Sequence, residues 1–328
     1  MRVLITGAGG FIGSHVVEYF VDKGYKVDAL IKYNSSSSIG HLRELSEEKI
    51  KKINFHFGDI RDSDYILNIT KKIDVILNLA ALISIPYSYQ SQNSYFETNV
   101  NGTLNLLNAA KKNKIKHIVL TSTSEVYGSG LYLPIDEKHP LQPQSPYSAS
   151  KIGSDAAGIS FYNSFDLPVT ILRPFNCFGP RQSNRAIIPR IINQLKTNPD
   201  NLKLGNLYPK RDYTYVEDVA KAFHQVIKAR KRTLGKVINI GSGKDISMND
   251  LLKKISKIMN TNYKLKLSKI HERPKKSEVN HLLADTKVAK KLIKWNPKYS
   301  GKDGFSKGLK KTIDWNLKNS SQINDFIF

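Results

Sequence analysis

A chain of 328 residues with 40% hydrophobic side chains can bury one large core, or a large core with a smaller one leaning on it. Its formal charge of +23 is concentrated late: residues 244–328 carry 20 Lys/Arg against 8 Asp/Glu. Such a surface draws polyanions, but no zinc-finger spacing or base-stacking motif accompanies it, so it reads as a solvated basic face and a nucleic-acid partner is not expected. The single cysteine, Cys177, excludes a disulfide within the chain, and no apolar run approaches the roughly 20 residues of a membrane span. A cytoplasmic protein with no metal site and no membrane partner is expected.

In chain order, Val3–Ile5, Val27–Ile31, Ile53–Phe57, Val75–Leu79, Ile118–Thr121 and Val169–Leu172 are short apolar runs that read as buried strands. Amphipathic stretches lie between them, among them Ile12–Lys23, Tyr95–Lys112 and Ser148–Phe165. Strand-helix alternation at this spacing implies an α/β fold with a doubly wound parallel sheet, the Rossmann arrangement. After Pro180 the rhythm loosens. Helical patterns at Ile187–Lys196, Val216–Ala229, Met248–Met259 and Lys302–Leu317 alternate with strands at Val237–Ile240 and Tyr263–Leu267. The expected division is a dinucleotide-binding domain over 1–180 and a smaller substrate-binding region over 181–328, with some late segments returning to the first domain.

The first strand runs into Thr6-Gly7-Ala8-Gly9-Gly10-Phe11-Ile12-Gly13, with Gly7, Gly10 and Gly13 three residues apart before a helix. Such glycines allow a tight turn, close approach of backbone to a pyrophosphate, and close helix–strand packing, while the helix start supplies free N–H groups, here those of Phe11 and Ile12. The second strand ends Ile31-Lys32-Tyr33 with no carboxylate for an adenosine ribose, since Asp28 falls about three residues too early. Lys32 therefore leans toward NADP. Gly58-Asp59-Ile60 follows the third strand, where Asp59 can accept from an adenine amino group. Leu79-Ala80-Ala81 ends the fourth with residues small enough for backbone to run along a cofactor.

Ser122-Thr123-Ser124-Glu125 follows the fifth strand, at the carboxyl edge where such sheets bind ligands. Tyr147 and Lys151 lie four apart at the start of a helix and share a face. A free tyrosine, with a pKa of about 10, is a poor base at neutral pH. A neighbouring ammonium and an oxidised nicotinamide would lower that value.

With these motifs in place the sequence resembles the extended short-chain dehydrogenase/reductases, in particular the NAD-dependent epimerase/dehydratase family. The resemblance runs from residue 1 to about 317 and includes Thr98-Asn99-Val100-Asn101-Gly102, Arg173-Pro174-Phe175-Asn176, Arg211-Asp212-Tyr213 and Glu272-Arg273-Pro274. It implies NAD as cofactor, with Asn99 among the cofactor contacts. It implies that Thr123 binds a sugar 4-hydroxyl, that Tyr147 is the base and that Lys151 holds the nicotinamide ribose. Asn176, Arg211 and Arg273 match positions that hold a nucleotide diphosphate. The stretch from Ser84 to Gln90 looks most like nucleotide-sugar 4,6-dehydratases of the legionaminic-acid type, acting on UDP- or GDP-N-acetylglucosamine in bacterial surface-sugar biosynthesis. Ser124 departs from the aspartate of the deoxythymidine-diphosphate-glucose dehydratases, which leaves open the acid for the departing 6-hydroxyl. Glu125 is the candidate for taking the C5 proton. A 4-epimerase, which has no use for Glu125, is the nearest rival; a non-catalytic dinucleotide-sensing or nucleic-acid-binding protein on the same fold is the rival from another class. The resemblance also implies a homodimer through the Tyr95–Lys112 and Ser148–Phe165 helices. Cys177 reads as a small core filler.

Overall fold

The computed structural model describes residues 1–268 and 274–319. Seven parallel strands form the central sheet: β1 (Arg2–Thr6), β2 (Lys26–Lys32), β3 (Ile53–Gly58), β4 (Val75–Asn78), β5 (His117–Thr121), β6 (Val169–Pro174) and, from later in the chain, Val237–Ile240. Their order across the sheet is β3-β2-β1-β4-β5-β6 followed by Val237–Ile240. The chain reverses direction across the sheet between β1 and β4, and at such a switch point the loops leaving the strands part to make a crevice. Because every strand is parallel, all strand ends lie on one edge.

Alternation along each strand divides the core. Val3, Ile5, Val75, Leu77 and Val119 pack on one face with the helix Phe11–Asp22. Leu4, Ile76, Ile118 and Leu120 pack on the other with the helices Gly102–Lys112 and Pro146–Phe165. Both faces are covered, which is why these strands read as continuous apolar runs. The helix Pro146–Phe165 starts sharply: Ser145 and Ser148 cap each other's backbone and Pro146 occupies the first turn. The stretch expected as one helix over Tyr95–Lys112 begins earlier, at Gln92, and passes through a π turn at Glu97–Asn101 before continuing.

The later residues build a second core and complete the first. Three short strands, β7 (Asn176–Phe178), β8 (Leu202–Leu204) and β9 (Lys210–Tyr215), precede the returning edge strand, now β10. They are followed by β11 (Asp245–Ser247), β12 (Leu265–Leu267) and β13 (His281–Leu282). β9 pairs with β7, β11 and β13, while β8 pairs with β12. The helices Ile187–Thr197 and Met248–Met259 close over them through Ile188, Ile191, Leu251, Leu252 and Ile255. The helix Val216–Lys228 goes back to the central sheet, its Val219, Phe223 and Val226 joining the face that holds Phe11–Asp22. Arg181 fastens the two parts, bonding Glu18 at 2.9 Å and Glu44 at 3.6 Å, and the indole of Trp315 in the last helix donates to the same Glu44.

Candidate active site

The glycine turn lies at the switch point. Gly7 has φ +64°, and a Cβ there would stand 2.8 Å from the backbone of Leu79 and Ala80, so the loops after β1 and β4 touch. A Cβ on Gly13 would stand 2.1 Å from the Gly7 carbonyl oxygen, which is the close helix–strand approach inferred from the motif. The Thr6 hydroxyl stitches the two loops, accepting from the N–H groups of Leu79 and Ala80 and donating to Asn78. The helix beginning at Phe11 has no side-chain cap and no carboxylate in its first turn. Its leading N–H groups therefore face the crevice with the positive end of the helix dipole and suit an anion.

At the end of β5 the chain makes a single tight turn, Ser124–Tyr127, capped by Thr123, whose hydroxyl accepts from the Glu125 N–H at 3.2 Å. Thr123 also hydrogen-bonds the Tyr147 hydroxyl across the crevice. Ser124 and Glu125 are buried, Glu125 with 9% of its surface exposed, which excludes a merely solvated loop glutamate. Its charge reaches Tyr147. Thr123, Glu125, Tyr147 and Lys151 thus converge from two elements.

Burial holds the Tyr147 phenol well above its ordinary pKa; the Thr123 hydrogen bond opposes this, while Glu125, Tyr95 and Asp155 add to it. Lys151 Nζ donates to the Thr121 carbonyl at 2.6 Å. Burial also lowers the pKa of Lys151.

The residues expected at a cofactor differ in how far the protein already engages them. The Asn99 amide is occupied by both backbone groups of Leu82 and by Ser150, so it fixes the loop after β4 instead of pointing into the crevice. The Ile60 side chain is buried in the core against Gly102, leaving only its main chain for a ligand. Asp59 sits at the end of β3 as expected, but Arg61 grips both its oxygens at 3.0 and 2.7 Å and holds its pKa below the usual carboxylate value. Lys32 is exposed at the end of β2, and Asp28 is buried well before that end with Arg2, Asn54 and His56. Ala80 and Ala81 line the loop after β4 beside partly exposed Ser84.

On the substrate side, Asn176 opens β7, and among the described residues its buried Oδ1 has no hydrogen-bond partner. Arg211 is 6% exposed and fixed by the carbonyl of Lys210 and the carboxylate of Glu278, 3.7 Å away. Arg273 and Glu272 lie outside the described residues. Sequence reading passed over Asn206, Tyr208, Lys210, Glu278 and Asn280, which line a cleft of about 710 Å³, the last three of them in contact with Arg211. Only the loop composition around Gly205–Pro209 hinted at them. Cys177 packs against the core, and burial pushes its thiol far up, so it is an inert filler.

A Rossmann sheet with this Thr–Glu–Tyr–Lys set at its carboxyl edge defines an extended short-chain dehydrogenase/reductase. Residues 4–308 match the model of the GDP-mannose 4,6 dehydratase family. The chain belongs to that family, and so to the NAD-dependent epimerase/dehydratases, enzymes that act on nucleotide-sugars. It is 39% identical over 274 residues to a dTDP-D-glucose 4,6-dehydratase of Dictyostelium discoideum, the match spanning 78% of this chain and 62% of that protein. DesIV, a dTDP-glucose 4,6-dehydratase of Streptomyces venezuelae solved with NAD bound, superposes with a TM-score of 0.87 at 26% identity, covering 99% of both chains. A UDP-N-acetylglucosamine 4-epimerase of Methanobrevibacter ruminantium M1 superposes at 0.85 with 32% identity, covering 97% of this chain and 98% of its own. Both activities therefore occur on this fold.

Proposed function

We propose that the protein is an NAD-dependent nucleotide-sugar 4,6-dehydratase, acting on UDP- or GDP-N-acetylglucosamine. The observation that carries this reading is the buried Glu125 beside Thr123 and Tyr147. NAD fits the residues present, in the uncapped helix start at Phe11 and the close Gly7–Ala80 approach. When bound it takes a hydride from the sugar and later returns it. Thr123 and Tyr147 receive the 4-hydroxyl, and Tyr147 takes its proton as C4 becomes a ketone. The ketone acidifies the C5 proton, and Glu125 removes it. Water then leaves from C6, with Ser124 and Glu125 the groups in this turn that can pass a proton to the departing hydroxyl. Lys151 holds the cofactor ribose. Arg211 and Asn176 bind the diphosphate, Arg211 because a guanidinium already fixed by Glu278 loses little freedom on binding it. In this reading two copies pair through the helices that expose Phe96, Ile159 and Phe165.

The 4-epimerase reading rests on the superposition with the Methanobrevibacter enzyme, and it needs no second base. Turnover of UDP- and GDP-N-acetylglucosamine in heavy water, followed by mass spectrometry, separates the two. A dehydratase gives a product lighter by one water, with deuterium at C5, and Glu125→Gln blocks both. A product that keeps its mass and differs only at C4 refutes the dehydratase.

A further inference from the structure

Behind the site lies a buried charge system that the reaction as described does not use. Asp155 follows Lys151 by four residues on the helix Pro146–Phe165, so the two share a face, with 2% and 5% of their surfaces exposed. Three donors converge on Asp155 Oδ2: the Ser122 hydroxyl at 2.7 Å, Arg173 Nε at 3.0 Å and Arg173 Nη2 at 2.9 Å. Among the described residues no donor reaches Oδ1. The guanidinium also reaches Tyr127: its Nη1 donates to the Tyr127 hydroxyl at 2.9 Å, and it lies 4.9 Å from the centre of that ring. Tyr127 in turn donates to Asn239, whose backbone N–H is held by Glu137.

We propose that Asp155 is the positioning residue of Lys151, its carboxylate, clamped by Ser122 and Arg173, supplying the counter-charge for the buried ammonium that holds the cofactor ribose. This rests on the reading of Lys151 given above. Alone, a lysine this deeply buried sheds its proton readily. The Thr121 carbonyl gives it one hydrogen bond but no charge. The Asp155 carboxylate is the group whose charge opposes the burial. Of the other ionisable groups here, Tyr147 shares the helix, Glu125 approaches from the turn after β5, Tyr95 meets the Tyr147 ring edge-on, and Arg173 on β6 is a cation paired with Asp155 itself and bonded to Tyr127.

The test follows the Lys151 side chain in the protein without cofactor, by NMR of lysine labelled at Cε, alongside NAD titrations from pH 6 to 10. In Asp155→Asn the Lys151 midpoint is expected to fall by about one unit or more, with NAD affinity lost at correspondingly lower pH. Asp155→Glu, which keeps the charge, is expected to restore both. An unchanged midpoint in Asp155→Asn overturns the proposal, as does a midpoint in Asp155→Glu as low as that of the Asn variant. If Asp155→Asn does not fold, the wild-type protein decides: with aspartate labelled at Cγ, the Asp155 carboxyl resonance must shift at the Lys151 midpoint, and a resonance that stays still there refutes the idea. Should the wild-type protein bind no NAD at any pH, the cofactor reading fails, while the lysine titration still decides the role of Asp155.

Discussion

Replacing Thr123 with valine keeps the shape of the side chain and removes its hydroxyl, which makes two hydrogen bonds with different consequences. The bond accepted from the Glu125 N–H caps a single turn, and losing such a cap costs about 1 kcal/mol of stability. The bond to Tyr147 favours the phenolate, and a hydrogen bond to a charged group contributes about 1.5–3 kcal/mol. At about 1.36 kcal/mol per decade, the second loss predicts a kcat about 10- to 150-fold lower. It also predicts that the acid limb of the pH–rate profile moves up by about 1–2 units, because the phenol becomes harder to ionise. Turnover measured by mass spectrometry across pH 6–10, beside a thermal melt, separates the two effects. Thr123→Ser retains the hydroxyl and should recover most of both. A Thr123→Val enzyme with an unmoved acid limb would refute Tyr147 as the base under Thr123's control, whatever its melting temperature.

Tyr147→Phe is expected to leave melting temperature and NAD affinity near wild type while removing turnover; retention of most of kcat would place the base elsewhere. Gly13→Ala puts a methyl 2.1 Å from the Gly7 carbonyl oxygen, so the glycine turn must shift. Overpacking of this kind costs about 1–3 kcal/mol, read as a lower urea midpoint together with weakened NAD binding. His117, wholly buried with Nε2 against Thr170, has its pKa lowered to about 4 by burial and by the nearby Arg230. A depressed value means its contribution is intact above pH 6.5 and is lost as pH falls through 4, about 3 kcal/mol in all. Denaturation of wild type and His117→Gln between pH 7 and 4 should therefore converge by that amount, and parallel curves would show that His117 is not buried neutral.

The central sheet was legible because its strands are apolar on both faces and its turns carry glycine at fixed offsets. Every strand from Val3 to Leu172 lies where the runs placed it, and Val237–Ile240 returns to the sheet as an edge strand. β9 escaped notice because Lys210-Arg211-Asp212-Tyr213-Thr214-Tyr215 reads as polar, although all but Lys210 are buried. Asp212 accepts from Ser242, Gly243 and Ala284, contacts made by residues 30 or more positions away that no local pattern announces. Separations of 17 and 18 positions likewise hid the engagement of Asn99 with Leu82 and of Asp155 with Arg173. Motif spacing identified residue types suited to a ligand, but not which of them were already bonded within the protein.

The return of β10 to the central sheet governs the order in which the protein can be finished during synthesis. Residues 1–180 contain the glycine turn, the Thr123 turn and the Tyr147 helix, yet leave β6 with an open side until Val237–Ile240 arrives. They also lack the helix Val216–Lys228 that covers Phe20 and Val17. A nascent chain of that length exposes an unpaired strand edge and an apolar helix face, the features that invite aggregation. The first 180 residues therefore do not make a free-standing module ending at Pro180. After Ile240 the sheet has all its strands, but its cover still lacks the helix Lys287–Ile293, whose Ala289 and Ile293 join the same core with Trp295, so the fold is finished only when the late residues arrive.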